Sequence, residues 1–270
     1  MRVLATDLDR TLLPNGHWPR DPDAIDRFNE LTERYDVFVI YVTGRNLDLA
    51  EQAIADYGVR RPHILIGDVG TTIRRSAPDG WLMHEGWEAH VQRSSPRWDR
   101  VAIRDAVGEI PGLREQEPEH CGPFKQSYYV EHGDHENTLA AVAARIEGRF
   151  DEVTIYSFDS QAEVGLLDFL PNSATKQTAL EYVTRELGVN KPDVVFCGDS
   201  GNDVFPLTAG FSGVLVRNAD AQLVAEVRQA MAANPELPVY FAKGGYQGLN
   251  GYYTGGVLEG AHHYGLFGSD

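Results

Sequence analysis

The chain has 270 residues, 42% hydrophobic and 24% charged, a balance that excludes intrinsic disorder as the starting assumption. Forty Asp and Glu against 24 Lys and Arg leave a formal net charge of -16, which repels nucleic-acid phosphates and anionic membrane surfaces and excludes both as partners. The same charge repels a small anionic substrate, so a phosphate site here needs a metal or local basic residues.

The first predicted strand, Val3 to Thr6, runs into Asp7-Leu8-Asp9-Arg10-Thr11. Residues two apart on a strand share a face, so Asp7 and Asp9 project together beyond its carboxyl end. Like charges converge there only around a metal or a shared proton. A turn-rich loop through Pro14, Gly16 and Pro19 leads to a helix from Asp23 to Arg34, on the spacing of Ile25, Phe28 and Leu31. Val37 to Val42 is a continuous apolar run, as in a parallel strand covered on both faces, and it ends in Thr43-Gly44-Arg45. A helix over Leu47 to Tyr57 and a strand Ile64 to Ile66 complete a β-α-β-α-β series, the signature of a doubly wound sheet.

From about Trp81 the alternation is lost, prolines recur, and Trp81, Trp87 and Trp98 fall close together. We expect a second module here, with strands at Gln126 to Val130, Val153 to Tyr156 and Val164 to Phe169 and a helix at Leu139 to Ile146, a small α+β insert. The first pattern resumes at Pro171 to Lys176, which introduces a helix stopped by Gly188. A strand Val194 to Cys197 then enters Gly198-Asp199-Ser200-Gly201-Asn202-Asp203, followed by Gly213 to Val216, a helix from Ala221 to about Met231, and Val239 to Phe241. The expected organisation is a Rossmann-like α/β core, residues 1–81 and 170–270, with an inserted cap at 82–169.

Several features carry bland expectations. His132 and His135, flanked by Glu131 and Glu136, read as an exposed acidic turn; His262-His263 as structural; Gly244-Gly245 and Gly255-Gly256 as turns. The tryptophans fit equally a cap core or a sugar-stacking surface. Cys121 and Cys197, far apart, predict no disulfide, and the strand starting at Val3 with no apolar run of about 20 residues predicts a cytoplasmic protein.

Either acid of the first loop alone is an ordinary turn residue. Together with Thr43, Lys176 and the 199–203 loop, all expected at carboxyl ends of parallel strands or at a helix start beside them, they occupy the edge where open α/β sheets bind ligands. Asp7 beside a divalent cation stays ionised and serves as nucleophile on phosphorus; Asp9 reaches the leaving oxygen as general acid and later activates water. Asp199 completes an all-oxygen sphere suited to magnesium, and Lys176 and Thr43 hold phosphoryl oxygens.

This set resembles the four motifs of the haloacid dehalogenase superfamily in its phosphatase branch: Asp7-Leu8-Asp9-Arg10-Thr11, Thr43-Gly44-Arg45, Lys176, and Gly198-Asp199-Ser200-Gly201-Asn202-Asp203. The resemblance implies an aspartyl-phosphate intermediate and Mg2+ bound by Asp7, Asp199 and the Asp9 backbone carbonyl. It implies Asp203 in support, and a cap that closes over substrate. Gly122 to Tyr128, Leu170 to Lys176, Val216 to Ala219, and the tail segments Tyr240 to Lys243 and Gly255 to Gly260 are similar to the sucrose-6-phosphate phosphatase group.

That similarity implies hydrolysis of a disaccharide phosphate, with sucrose 6-phosphate ranked first and mannosylfructose phosphate, glucosylglycerol phosphate or mannosyl-3-phosphoglycerate as alternatives. Substrate contacts would come from Thr43, Gly44, Arg45, Lys125, Asn172, Lys176 and Asn202, with Asn172 and Asn202 on the core. A partnership with a sugar-phosphate synthase is the one macromolecular association admitted. From another class, the chain could be a binding module that kept the fold without turnover; Asp9 separates the two, since binding alone has no use for an acid/base.

Overall fold

The computed structural model describes residues 1–131, 133, 135–159 and 163–268. The chain divides into two compact units, Met1–Met83 with Lys176–Asp270, and His84–Thr175.

The first unit is built on an eight-stranded sheet. Its strands are β1 (Val3–Thr6), β2 (Phe38–Val42), β3 (Ile64–Gly67), β4 (Thr72–Ala77), β5 (Gly80–Met83), β10 (Val194–Gly198), β11 (Ser212–Leu215) and β12 (Val239–Phe241). Their order is β12-β11-β10-β1-β2-β3-β4-β5. Every pair from β12 to β3 is parallel. The fully buried runs of β1, β3, β10 and β11 are the two-face coverage that their continuous apolar sequence predicts. The chain leaves β1 toward β2 on one side and returns as β10 on the other, which makes the carboxyl ends of β1 and β10 the switch point of the sheet. The register Thr6↔Cys197 sets Asp7 and Asp199 at that point.

The flanking helices are α1 (Ala24–Arg34), α2 (Leu47–Tyr57), α6 (Lys176–Glu186), the short α7 (Val204–Thr208), α8 (Ala221–Ala233) and α9 (Thr254–His263). Helix α2 opens on Asn46, whose side chain accepts the Leu49 N–H at 3.0 Å, and closes on left-handed Gly58. Helix α1 buries Phe28 and Leu31 in one cluster with Val257, Leu258 and Ala261 of α9.

Helix α9 corrects the expectation of turns at Gly255-Gly256, which lie inside it and are buried. The glycines serve close approach: a Cβ on Gly260 would collide with Val214, and one on Gly256 would stand 3.0 Å from Val216. Gly244 and Gly245, by contrast, lie at φ 89° and 112° and do form a turn. Strands β4 and β5 form an antiparallel hairpin that no apolar alternation announced. Arg74 and Arg75 sit in its first strand, and Trp81 of its second donates to Glu51 at 2.8 Å. The three tryptophans are thus not one group, since Trp87 and Trp98 belong to the second unit. His262 and His263 stack on Tyr246 and Tyr240 at 4.5 and 4.1 Å, as structural residues do.

The second unit holds a four-stranded antiparallel sheet, order β6-β7-β9-β8, from β6 (Leu113–Glu115), β7 (Gln126–Val130), β8 (Glu152–Asp159) and β9 (Val164–Pro171). Helices α3 (Glu85–Ser94), α4 (Arg100–Val107) and α5 (His135–Ile146) accompany it. Its own core joins Ile103 and Val107 of α4, Val142 and Ile146 of α5, and Tyr128, Leu167 and Phe169 of the sheet. The unit differs from 82–169 at both ends because β5 keeps Met83 paired with Arg74, and β9 carries the second sheet to Pro171. Both cysteines are free, and among the described residues no helix is long and apolar enough to cross a membrane.

Candidate active site

The loop after β1 is wound tightly. The Leu8 carbonyl accepts the N–H groups of Thr11, Leu12 and Leu13 at 3.3, 3.0 and 2.8 Å, which buries Leu8 and turns Asp7 and Asp9 in different directions. The Asp7 N–H continues the sheet by donating to Cys197 at 3.0 Å, fixing Asp7 against the 199–203 loop. That loop begins at Gly198 because nothing larger fits: a Cβ there would stand 2.6 Å from the Cβ of Asp203.

Lys176, the first residue of α6 and 1% exposed, is the centre of the arrangement. Its Nζ donates to Asp7 Oδ1 and Asp203 Oδ1, each at 2.8 Å, and to Asn202 Oδ1 at 2.9 Å, using all three ammonium protons. Asp203 has both oxygens engaged, since Oδ2 accepts the N–H groups of Asp199 and Ser200 at 3.0 and 3.2 Å. It holds the loop and the lysine. Asp199 Oδ1 accepts Thr11 Oγ1 at 3.0 Å, and Arg10 Nε stands 3.1 Å from Oδ2.

Asp7, Asp199 and Asp203 each offer a carboxylate oxygen within 4.8 Å of the others, and they are the group of this kind among the described residues. Asp199 Oδ2 is buried without a hydrogen-bond partner. Hard oxygen donors, one of them buried without a hydrogen bond and facing the Arg10 charge, fit a magnesium ion. Asp9, named with them in the sequence, keeps its carboxylate elsewhere. Arg45 Nε and Nη2 grip it at 2.8 and 2.7 Å, and Asn15 Nδ2 donates at 2.6 Å. Arg45 thereby spends its fork on Asp9, with Nη1 on the Leu49 carbonyl at 3.1 Å.

The electrostatics follow from burial and these partners. Burial pushes the Asp7 carboxyl up to about 7, with Asp203 and Asp9 adding to it and Lys176 opposing. Burial also raises Asp199, against the pull of Arg10. For Asp9 burial is outweighed by the Arg45 hydrogen bonds and charge, so it sits below the usual carboxylate range and is ionised. Lys176 is likewise raised, because Asp203 and Asp7 outweigh burial, and it stays charged.

Thr43 is buried at the end of β2, where its N–H donates to Ile66 at 2.8 Å and its Oγ1 accepts the Arg45 N–H at 3.1 Å, leaving its hydroxyl proton to donate. Gly44 is not demanded by space, a Cβ there meeting only Val69 at 3.9 Å.

In the second unit Lys125 Nζ lies 3.8 Å from Asp168 Oδ1, which also accepts Ser127 Oγ at 2.5 Å. Asn172, expected with the core, falls in this unit, accepting Ser95 Oγ at 2.8 Å and donating its N–H to Asp151 at 3.0 Å. His132 lies outside the described residues, and His135 stacks on Tyr156 at 5.5 Å. Residues that sequence reasoning left without a role are Arg10, Asn15 and Asp220; all three stand beside the aspartates at the same sheet edge, which is the signal they offered.

The profile of the sucrose-6F-phosphate phosphohydrolase family matches residues 1–265. A haloacid-dehalogenase-like hydrolase of Nitrosococcus oceani is 38% identical over 97% of this chain and 71% of its own length. Sucrose-phosphatase 1 of Nicotiana tabacum is 30% identical over 82% of this chain, which spans only 51% of that protein. Mannosylfructose-phosphate phosphatase of Agrobacterium fabrum is 27% identical over 98% of both chains. Among solved structures, the sucrose-phosphatase of Synechocystis sp. PCC6803, in complex with sucrose and phosphate, aligns over 100% of both chains at a TM-score of 0.81 and 24% identity.

Proposed function

We propose, for a chain that belongs to the sucrose-6F-phosphate phosphohydrolase family, that its substrate is a disaccharide phosphate, with sucrose 6-phosphate first. The protein is a sugar phosphatase of the haloacid dehalogenase type, a phosphoric monoester hydrolase. The observation that carries the mechanism is the convergence of Asp7, Asp199 and Asp203 on one sheet edge, with the Lys176 ammonium bonded to Asp7 and Asp203.

In that mechanism an Asp7 oxygen forms a bond to phosphorus while the bond from phosphorus to the sugar oxygen breaks and Asp9 gives that oxygen its proton. Water then attacks phosphorus, Asp9 takes the proton back, and Asp7 is freed with release of phosphate. Lys176 steadies Asp7, and the Thr43 hydroxyl donates to a phosphoryl oxygen. Magnesium, held by Asp7 and Asp199, would neutralise charge on the phosphoryl group. Because Asp9 is ionised while paired with Arg45, acting as acid requires that pair to loosen when substrate binds. Lys125, Asn172 and Asn202 are assigned to the sugar, and a synthase that supplies the phosphate is the partner to seek by co-purification.

The match over nearly the whole of both chains with the Agrobacterium mannosylfructose-phosphate phosphatase favours mannosylfructose phosphate as the second choice. The test is phosphate release from both esters, glucosylglycerol phosphate and mannosyl-3-phosphoglycerate, with magnesium or with EDTA. The highest kcat/KM is expected on sucrose 6-phosphate and only with magnesium. Preference for another ester overturns the sucrose assignment, and equal rates in EDTA overturn the magnesium assignment.

A further inference from the structure

Arg10 is the charged residue of the first loop that hydrolysis does not use. Its backbone lies at φ 56°, the left-handed region that a non-glycine residue occupies only when its surroundings impose it. Asn15 Oδ1 accepts its N–H at 2.7 Å, and Asn218 Nδ2 donates to its carbonyl at 2.6 Å. Held in this way, the guanidinium lies across two acids, with Nε 3.1 Å from Asp199 Oδ2 and Nη2 3.3 Å from Asp220 Oδ2.

The two acids are unlike. The Asp199 side chain is 1% exposed and that of Asp220 is 41% exposed. They belong to one frame, since the Asp220 N–H donates to the Asp199 carbonyl at 2.8 Å. Arg10 faces the Asp199 oxygen that no hydrogen bond satisfies, while Thr11 occupies the other. Lys176 bonds to Asp7 and Asp203, and Arg10 is the cation that stands beside Asp199. A divalent cation at the same oxygens supplies the same compensation and meets Arg10 as a like charge.

We propose that Arg10 is a resident counter-ion of Asp199, a positioning residue that holds this carboxylate while no metal is bound and sets the magnesium affinity by competing for it. Asp220 is the second anchor, keeping the guanidinium when Asp199 engages the metal. This rests on the assignment of Asp7 and Asp199 to magnesium made above.

The test is calorimetric titration of magnesium into the substrate-free protein, with thermal unfolding in EDTA and in saturating magnesium, for wild type, Arg10→Gln and Asp220→Asn. Removing a unit charge a few ångströms from a divalent ion is expected to tighten binding by at least about tenfold in Arg10→Gln. The same variant unfolds at lower temperature than wild type in EDTA, and the gap closes with magnesium, which loss of a merely structural tether would not do. Asp220→Asn, at a half-exposed position, leaves the guanidinium to Asp199 alone and weakens magnesium about threefold; it decides the matter if Arg10→Gln does not fold. Equal magnesium affinity in the variants and wild type, or weaker binding in Arg10→Gln, overturns the proposal. A wild-type protein that binds no magnesium instead shows that the site is not a magnesium site.

Discussion

Lys176→Met removes the charge on which the catalytic edge is assembled while keeping an unbranched chain one atom shorter. The ammonium touches Asp7, Asp203 and Asn202 at 2.8, 2.8 and 2.9 Å, and the lysine and Asp203 are 1% and 0% exposed, so solvent screening gives no discount. Losing one partner of a buried ion pair costs about 3–5 kcal/mol, because the remaining carboxylates are left buried and unpaired. At about 2–4 °C per kcal/mol for a unit of this size, the melting temperature should fall by about 6–20 °C. Scanning calorimetry in metal-free buffer, run on Lys176→Met, Asp203→Asn and the double variant, reads both the size and the coupling. The double variant should be more stable than the sum of the single losses by at least about 1 kcal/mol, since Asp203 is no longer a stranded charge. A loss below about 1 kcal/mol in Lys176→Met, or strict additivity, would show that the lysine is not what balances these acids.

Asp9→Asn should lower kcat about 10²–10⁴-fold on a sugar phosphate; wild-type kcat on that ester would remove Asp9 as the acid and base. Burial holds Asp7 up at about 7 without metal, and its protonated form is no ligand, so magnesium affinity should fall about tenfold per pH unit below that value. By the same shift, raised above the unfolded value of 3.8, Asp7 favours the folded metal-free protein in acid and loses that contribution as pH rises through about 7, which melting curves against pH will show. Gly198→Ala puts a methyl 2.6 Å from the Asp203 Cβ and should destabilise by about 1–3 kcal/mol while depressing kcat; wild-type kcat and stability would mean the loop yields freely.

The reacting edge was legible in the sequence because a buried parallel strand writes itself as an unbroken apolar run. Once Val3–Thr6 and Val194–Gly198 are strands, the acids that follow them must share an edge. What each acid touches was not legible. Nothing in the spacing says that Asp9 turns to Arg45, or that Asp203 spends both oxygens on Lys176 and two backbone amides, because side-chain direction is set by the tight turn at Leu8 and by Gly198.

Helix α9 was hidden for a different reason. Gly255, Gly256 and Gly260 lower helix propensity, yet tertiary packing demands the last two, Gly256 against Val216 and Gly260 against Val214. The β4–β5 hairpin escaped because Arg74 and Arg75 interrupt any alternating pattern. Helices α3 and α4 are short, and each buries only two residues, too few to impose a visible period on the region of Trp87 and Trp98.

The central claim, that Asp7 is a covalent nucleophile, is tested most directly by the stereochemistry at phosphorus. A phosphorothioate analogue of the substrate, made chiral at phosphorus with two oxygen isotopes, is hydrolysed in water carrying the third, and the configuration of the inorganic thiophosphate is read. Attack by Asp7 followed by attack of water gives two in-line displacements, each inverting phosphorus, so net retention is expected. Net inversion would mean that water attacks the sugar phosphate directly and that Asp7 is not the nucleophile.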